Sequence, residues 1–403
     1  MEITREQLAT RLRDTRQALG LTQAEVARRL GVHRPTVSEM EAGRRAVTSE
    51  ELYRLARLYE VPVSTLLGAS AEDEVERILF RKDGIAEPAA RAAVRRFVRR
   101  CRVEQELETL LQAHRPAATH PGYRFRYPSG VRRAVLEGEG LAERERRRLG
   151  LGVEPLRNPL EVLERQGVRI GPLEGVADEG LDGVYFEVDG LGPCIGINQS
   201  RDLWTGFRVA FTVAHEYAHW LLDDTDAERY RPGRFTKDLK EVRANAFAAA
   251  FLMPRESVMR YLGNAGLLET DGRVRGLTPT DIVRAMDHFG VSRHALLYRL
   301  KNLGLVADAE WERVRQLDFS VTRVAEVLGL ALRIEYDLDA RLKELVVKAW
   351  QRGLLTTGRA AELLGVEVEV FRQQMADIGA EVEPADELLL GAAAEEGEWV
   401  ERS

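Results

Sequence analysis

Two histidines four positions apart with a glutamate after the first, His215-Glu216-Tyr217-Ala218-His219, are the residues most able to do chemistry in this chain. On a helix, a spacing of four turns the side chain by only roughly 40°, so both imidazoles project from one face and can grip a single divalent ion. Glu216 comes one step after the first ligand and can reach a water on the ion, where a general base for hydrolysis must stand. A catalytic zinc takes three protein ligands and leaves a fourth position for water. The motif is not extended by a glycine and a further histidine just after His219, so the third ligand must come from elsewhere. We select Glu241, on a helix able to return antiparallel to the first, with Asn245 one turn on to orient side chains; Asp223 and Asp224 are the rivals. The competing reading is a set of satisfied core polar groups. The apolar surroundings, Phe211, Val213, Trp220, Leu221, Phe247 and Phe251, weigh against it, because they make carboxylates costly to bury without a cation. Two histidines and one glutamate accept zinc and several other divalent ions.

A second constellation lies near the N-terminus. Residues 21–30 and 33–43 read as two short helices about a tight turn at Gly31-Val32, a helix-turn-helix. His33, Arg34, Thr36 and Ser38 crowd the N-terminal half of the second helix, the part that meets base edges in the major groove. Gln23 at the start of the first helix is placed to bond a phosphate, with Arg44 and Arg45 adding backbone contacts beyond the second. Pro35 falls in the first turn of that helix, where proline is tolerated, and His33 occupies the position where Ser or Thr commonly caps.

The elements that must carry these residues suggest several domains, since 403 residues exceed one ordinary core. A composition of 44% hydrophobic and 31% charged residues without an apolar run near 18 residues excludes a membrane span, and the charged N-terminus carries no export signal, so the cytoplasm is expected. A net charge of -6 argues against unspecific nucleic-acid binding over the whole surface. Cys101 and Cys194, the only cysteines, read as small apolar residues. The expected fold is multidomain and mainly α with a small α+β part. Residues 1–70 form a helical bundle, 71–128 a helical linker, 129–305 an α+β unit with a small sheet, 306–380 a C-terminal helical module and 381–403 a disordered acidic tail. Strands are expected near residues 168–170, 184–188 and 194–198, the last pair as a hairpin. An extended peptide could then add to an edge at 194–198. Tyr185, Tyr217 and Arg243 are candidate oxyanion donors. The basic run at 91–102 and the charges at 143–148 read as solvated faces, the segment after Arg115 as a connector, and His288 and His294 as structural. The stretch at 358–375 has a helix-turn-helix shape, but Glu367 and Glu369 suit a protein contact better than DNA.

Residues 5–68, ending in YEVPVSTLLG, resemble the Cro/cI-type (XRE) repressor domains. RVAFTVAHEYAHWLL and, after it, EVRANAFAAAFLMP resemble the ImmA/IrrE metallo-endopeptidases over roughly residues 150–305, and the stretch around Arg299 resembles the segment C-terminal to the protease core in that family. The resemblance implies a zincin-like core, zinc on His215, His219 and Glu241, Glu216 as the catalytic glutamate, and regulated cleavage of a repressor. The leading expectation is a DNA-binding regulator whose zinc endopeptidase cuts a repressor, itself or a partner, on a signal such as stress. The alternatives are a DNA-binding sensor whose protease-like domain binds a ligand or metal without proteolysis, and an antitoxin-like interaction protein. Double-stranded operator DNA and a repressor are the expected partners, no membrane is, and repressors of this class bind inverted repeats as homodimers.

Overall fold

The computed structural model describes residues 4–18, 21–59, 63–67, 88–176, 182–188, 190–198, 205–222, 238–274, 276–332 and 334–380. They fall into two compact units. The first contains α1 (Arg5–Ala18), α2 (Gln23–Leu30), α3 (Arg34–Glu41), α4 (Ser49–Tyr59) and α5 (Val63–Leu67). Thr22 and Glu25 close a capping box at the start of α2, and Gly31, with φ of 71°, ends it in the left-handed conformation. α3 then starts from His33, whose side chain makes no capping bond, and Pro35 sits in its first turn. Leu12, Val26, Leu30, Val37, Met40, Leu55, Tyr59 and Leu66 form the core. Arg16 reaches across it to Glu41 with two bonds of 2.6 and 2.9 Å, fixing α1 against α3.

The second unit begins with α6 (Pro88–Leu110), α7 (Val131–Arg148) and α8 (Pro159–Glu164), and continues with β1 (Arg169–Pro172), β2 (Gly183–Val188) and β3 (Gly192–Ile197). Then come α9 (Thr205–Leu221), α10 (Leu239–Leu252), α11 (Arg255–Asn264), α12 (Pro279–Phe289), α13 (Arg293–Asn302), α14 (Asp308–Gln316), α15 (Val321–Leu328), α16 (Ala340–Gln351), α17 (Thr357–Leu364) and α18 (Val368–Asp377). The fold is thus mainly helical with one small sheet. β3 pairs in parallel with β1 and lies between β1 and β2. Residues 194–198 are therefore central, and the expected docking edge is not there; β2 takes the edge opposite β1, and the chain returns to place β3 between them.

One large core runs from Leu141 through α8, the sheet and α9–α13 to Trp311, Val314 and Leu338. The packing of α7 on α10 is so close that a Cβ on Gly138 would lie 2.3 Å from the Arg243 carbonyl oxygen. A second core joins Leu107 of α6 and Leu111 just after it to Leu345, Trp350, Ala360 and Phe371 of α16–α18. The helix-turn-helix shape at the C-terminal end of the described chain thus packs on α6.

Two stretches read from the sequence as linker are parts of the fold. α6 keeps Arg95, Arg96 and Arg99 exposed, but buries Ala93, Val94, Phe97, Val98 and Cys101. Its Glu104 and Glu108 are buried against Arg100, Arg115 and Arg169. The segment after Arg115 straps the unit: His120 Nε2 lies 3.0 Å from the Trp220 carbonyl oxygen, and the Tyr123 hydroxyl donates to Glu145 at 3.1 Å. Arg243 donates to the Arg126 carbonyl. Backbone without helix or strand periodicity reads as connector even when side chains tie it down. Asp223, Asp224 and the acidic tail at 381–403 lie outside the described residues.

Candidate metal centre and DNA-facing helix

α9 is apolar through most of its length, and Phe207, Ala210, Val213, Ala214, Tyr217 and Leu221 are buried in the core. That burial fixes its rotation, and the remaining face turns His215 and His219 toward the first turn of α10. Asp238 caps α10 by accepting from the Lys240 N–H, which places Glu241 in that first turn, a position the helix dipole favours for a carboxylate. His215 Nε2 lies 3.1 Å from Glu241 Oε2, His219 Nε2 lies 3.3 Å from Glu241 Oε1, and the two Nε2 atoms are 3.1 Å apart.

This triangle is the right size for one ion. Ligands about 2.0–2.2 Å from a tetrahedral zinc stand roughly 3.2–3.6 Å from each other. Among the described residues, these three form the one group of metal-ligating side chains that converges in this way. Hydrogen bonds to His215 and His219 hold the Glu241 carboxyl well below the usual carboxylate range, although its side chain is 52% exposed, so it stands ready as an anion. His215 Nδ1 lies 3.1 Å from Asn245 Oδ1. An amide oxygen only accepts, so Nδ1 keeps its proton, and Nε2, which donates to Glu241 when protonated, becomes the ligating lone pair once it gives its own proton up.

Glu216, the residue after the first histidine, is 8% exposed. β2 passes directly over it: a Cβ on Gly183 would meet Thr212 Cγ2 at 2.5 Å and Glu216 Cγ at 3.2 Å, so only glycine permits this approach. An ion pair between Arg208 and Asp182, the residue before β2, ties the start of that strand to α9. Neither Gly183 nor Asp182 was singled out in the sequence, since only the packing of β2 gives them a role.

Of the oxyanion candidates, Tyr217 is fully buried and donates to Glu145 Oε1 at 2.5 Å. Arg243, 1% exposed, is held by the Arg126 carbonyl and Glu137. Both are packing groups, and Tyr185 is buried within β2. Glu145 lies in the charge run at 143–148 but is completely buried, taking bonds from Tyr217, Tyr123 and Arg148. A run of charges shows no sign of which member turns inward; the polar tyrosine amid an apolar helix was the available hint.

In the first unit, His33 and Arg34 are exposed on the N-terminal half of α3, with Thr36 and Ser38 partly exposed beside them. Arg44 is exposed beyond α3. Gln23 gives its amide to Glu41 Oε2 at 2.9 Å, and Arg45 is paired with Glu51 at 2.8 Å, so a phosphate must compete for both.

No curated protein and no solved structure matches the chain. Residues 12–66 match the helix-turn-helix family model, and residues 163–301 match that of the IrrE N-terminal-like domain of peptidase family M78. With α3 inside the first match and the His215–His219 helix inside the second, the chain joins an XRE-type helix-turn-helix to an ImmA/IrrE-type metallopeptidase domain.

Proposed function

We propose that the protein is a cytoplasmic transcriptional regulator that binds operator DNA as a homodimer and hydrolyses a peptide bond in a repressor, itself or a partner, in response to a signal. In this reading residues 1–70 read DNA and 129–305 cut. The observation that carries it is the triangle of His215, His219 and Glu241 with edges of 3.1–3.3 Å, beside a Glu216 that no ion would need if it were merely held. His215 Nε2, His219 Nε2 and a Glu241 oxygen would hold zinc, or another divalent ion, which when bound serves as a Lewis acid that acidifies water. Glu216 takes a proton from the attacking water and passes it to the leaving amine. Asn245 keeps His215 in the ligating tautomer. β2, which crosses Glu216 at Gly183, replaces residues 194–198 as the strand along which an extended substrate would lie. His33, Arg34, Thr36 and Ser38 face base edges, and Arg44 meets the backbone, joined by Gln23 and Arg45 when phosphate displaces Glu41 and Glu51.

The test is metal content by mass spectrometry on the wild type and on His215→Ala, purified without chelator, and then incubation with repressors encoded nearby. One zinc per wild-type chain, lost in His215→Ala, and cleavage lost in a Glu216→Gln variant that keeps its metal, support the proposal. Metal without cleavage of any such repressor, itself included, points to a sensor. Absence of metal after reconstitution overturns the protease and leaves a sensor that binds another ligand.

A further inference from the structure

The chain's two cysteines, far apart in sequence, meet in the interior of the second unit. Cys101 lies on α6, one turn beyond Phe97, and Cys194 opens the paired part of β3, opposite Arg169 of β1. Both are thiols and both are buried. α6 lies flat on the sheet here: the Phe97 ring is close enough to β3 that a Cβ on Gly196 would touch it at 3.1 Å. Cys101 comes next on the same helix face, and its side chain is in hydrogen-bond contact with that of Cys194. A small apolar contact between a helix and a strand is filled as well by Ala or Val. Using both cysteines of a 403-residue chain for this one contact leaves a pair that needs only the loss of two hydrogens to become covalent.

We propose that Cys101 and Cys194 form an oxidisable dithiol that closes to an intramolecular disulfide, fastening α6 to the central strand of the sheet. The oxidant is a peroxide. One thiolate attacks a peroxide oxygen, the O–O bond breaks, and the departing oxygen takes up the thiol's proton and leaves as water, giving a sulfenic acid. The second sulfur then attacks the sulfenic sulfur, the S–O bond breaks, and a second water leaves with the remaining proton. The two thiols together supply two electrons, and one peroxide becomes two waters.

Burial pushes the Cys101 thiol up, with Cys194 and Glu104 adding to the shift and Arg169 opposing it, so little thiolate exists while α6 is docked. The pair therefore reacts slowly in the closed protein and faster when α6 lifts from the sheet. Once formed, the bond holds closed the helix that opens the second unit. This modification does not depend on the metal centre and would stand if that centre were idle.

The whole protein is treated with hydrogen peroxide, and in parallel with the dithiol oxidant diamide, at mildly alkaline pH, then alkylated, digested and mapped by mass spectrometry. The expected result is the Cys101 peptide joined to the Cys194 peptide within one chain, an intact mass lower by about 2 Da, and reversal by a reductant. Oxidation should also raise the melting temperature of the wild type by several degrees, and leave that of Cys101→Ala and Cys194→Ala unchanged. Recovery of both cysteines alkylated, as separate sulfinic acids, or joined to another chain would overturn the proposal. The guanidinium-unfolded protein, under the same oxidants, serves as the control that the chemistry works.

Discussion

The hydrogen bond between Asn245 and His215 decides which imidazole nitrogen is offered to an ion. Asn245→Leu keeps the side-chain volume but removes the acceptor at 3.1 Å, leaving Nδ1 without a fixed proton. Zinc affinity should fall roughly 10- to 100-fold, read by competition with a chromogenic chelator, while the unfolding transition stays within about 1 kcal/mol, since the site lies at the rim of the core. An unchanged affinity would mean that Asn245 only packs. Asn245→Asp should keep or raise affinity, because a carboxylate accepts the same bond more strongly. His215, Glu216 and His219 could be read from sequence because helix geometry alone sets their relation. Glu241 needed the additional assumption that a later helix returns. Glu145 could not be picked out of its own segment: within Glu143-Arg144-Glu145-Arg146-Arg147-Arg148, burial of Glu145 and Arg146 depends on where Tyr217 and the carbonyls of Phe251 and Glu154 come to lie.

At the scale of elements, the geometry of the candidate metal centre rests on how α10 is held. Glu241 is on its first turn, and α7 lies against its middle at Gly138. Gly138→Val must force the helices apart, because its Cβ would come 2.3 Å from the Arg243 carbonyl oxygen and 2.9 Å from the Phe247 nitrogen, both backbone atoms. A destabilisation of about 2–4 kcal/mol in denaturant unfolding is expected, with zinc affinity falling in parallel as Glu241 shifts from the histidines. Leaving affinity intact would show that α9 and α10 move together as one body. In the first unit, α3 hangs on Glu41, which binds Arg16 and also holds Gln23. Glu41→Ala leaves a guanidinium only 11% exposed without its partner, so a loss of about 3–5 kcal/mol is expected. Operator binding should then weaken at every sequence alike, since the whole reading helix loosens, whereas Arg34→Ala should lose discrimination at particular base pairs. The helix end at Gly31 was legible here as the turn between the two helices, whereas Thr22, read as part of the first helix, is its N-cap. The order of the strands was not legible, because parallel pairing of β1 with β3 is a long-range contact that alternation within a strand does not encode.

At the scale of the whole molecule, the segment recognisable as a metallopeptidase domain, residues 163–301, is smaller than the body that folds around it. Leu141 and Ala142 precede it, and Trp311, Val314 and Leu338 come after it, yet all belong to the same core as α9 and α10. The later part reaches the helix of His215 and His219 directly: the Ile334 carbonyl crosses α9 so closely that a Cβ on Gly206, in its first turn, would lie 1.8 Å from that oxygen. Helices α16–α18 in turn close over Leu107 of α6 and Leu111 just after it. A fragment of residues 163–301 would expose the faces of α10 and α13 that meet α7, losing the Arg299–Glu139 pair and the Tyr217–Glu145 bond together. The expected outcome is a fragment without a sharp thermal transition that binds a dye for exposed apolar surface, whereas residues 88–380 melt cooperatively and retain zinc. Cooperative melting of the short fragment would show that α9–α13 suffice to hold the histidines, and that α6, α7 and the helices after residue 305 were added to a unit already stable. If instead only the longer piece folds, the metal helix is clamped from both flanks of the chain, and a change in either flank can reach His215 and His219 without touching them.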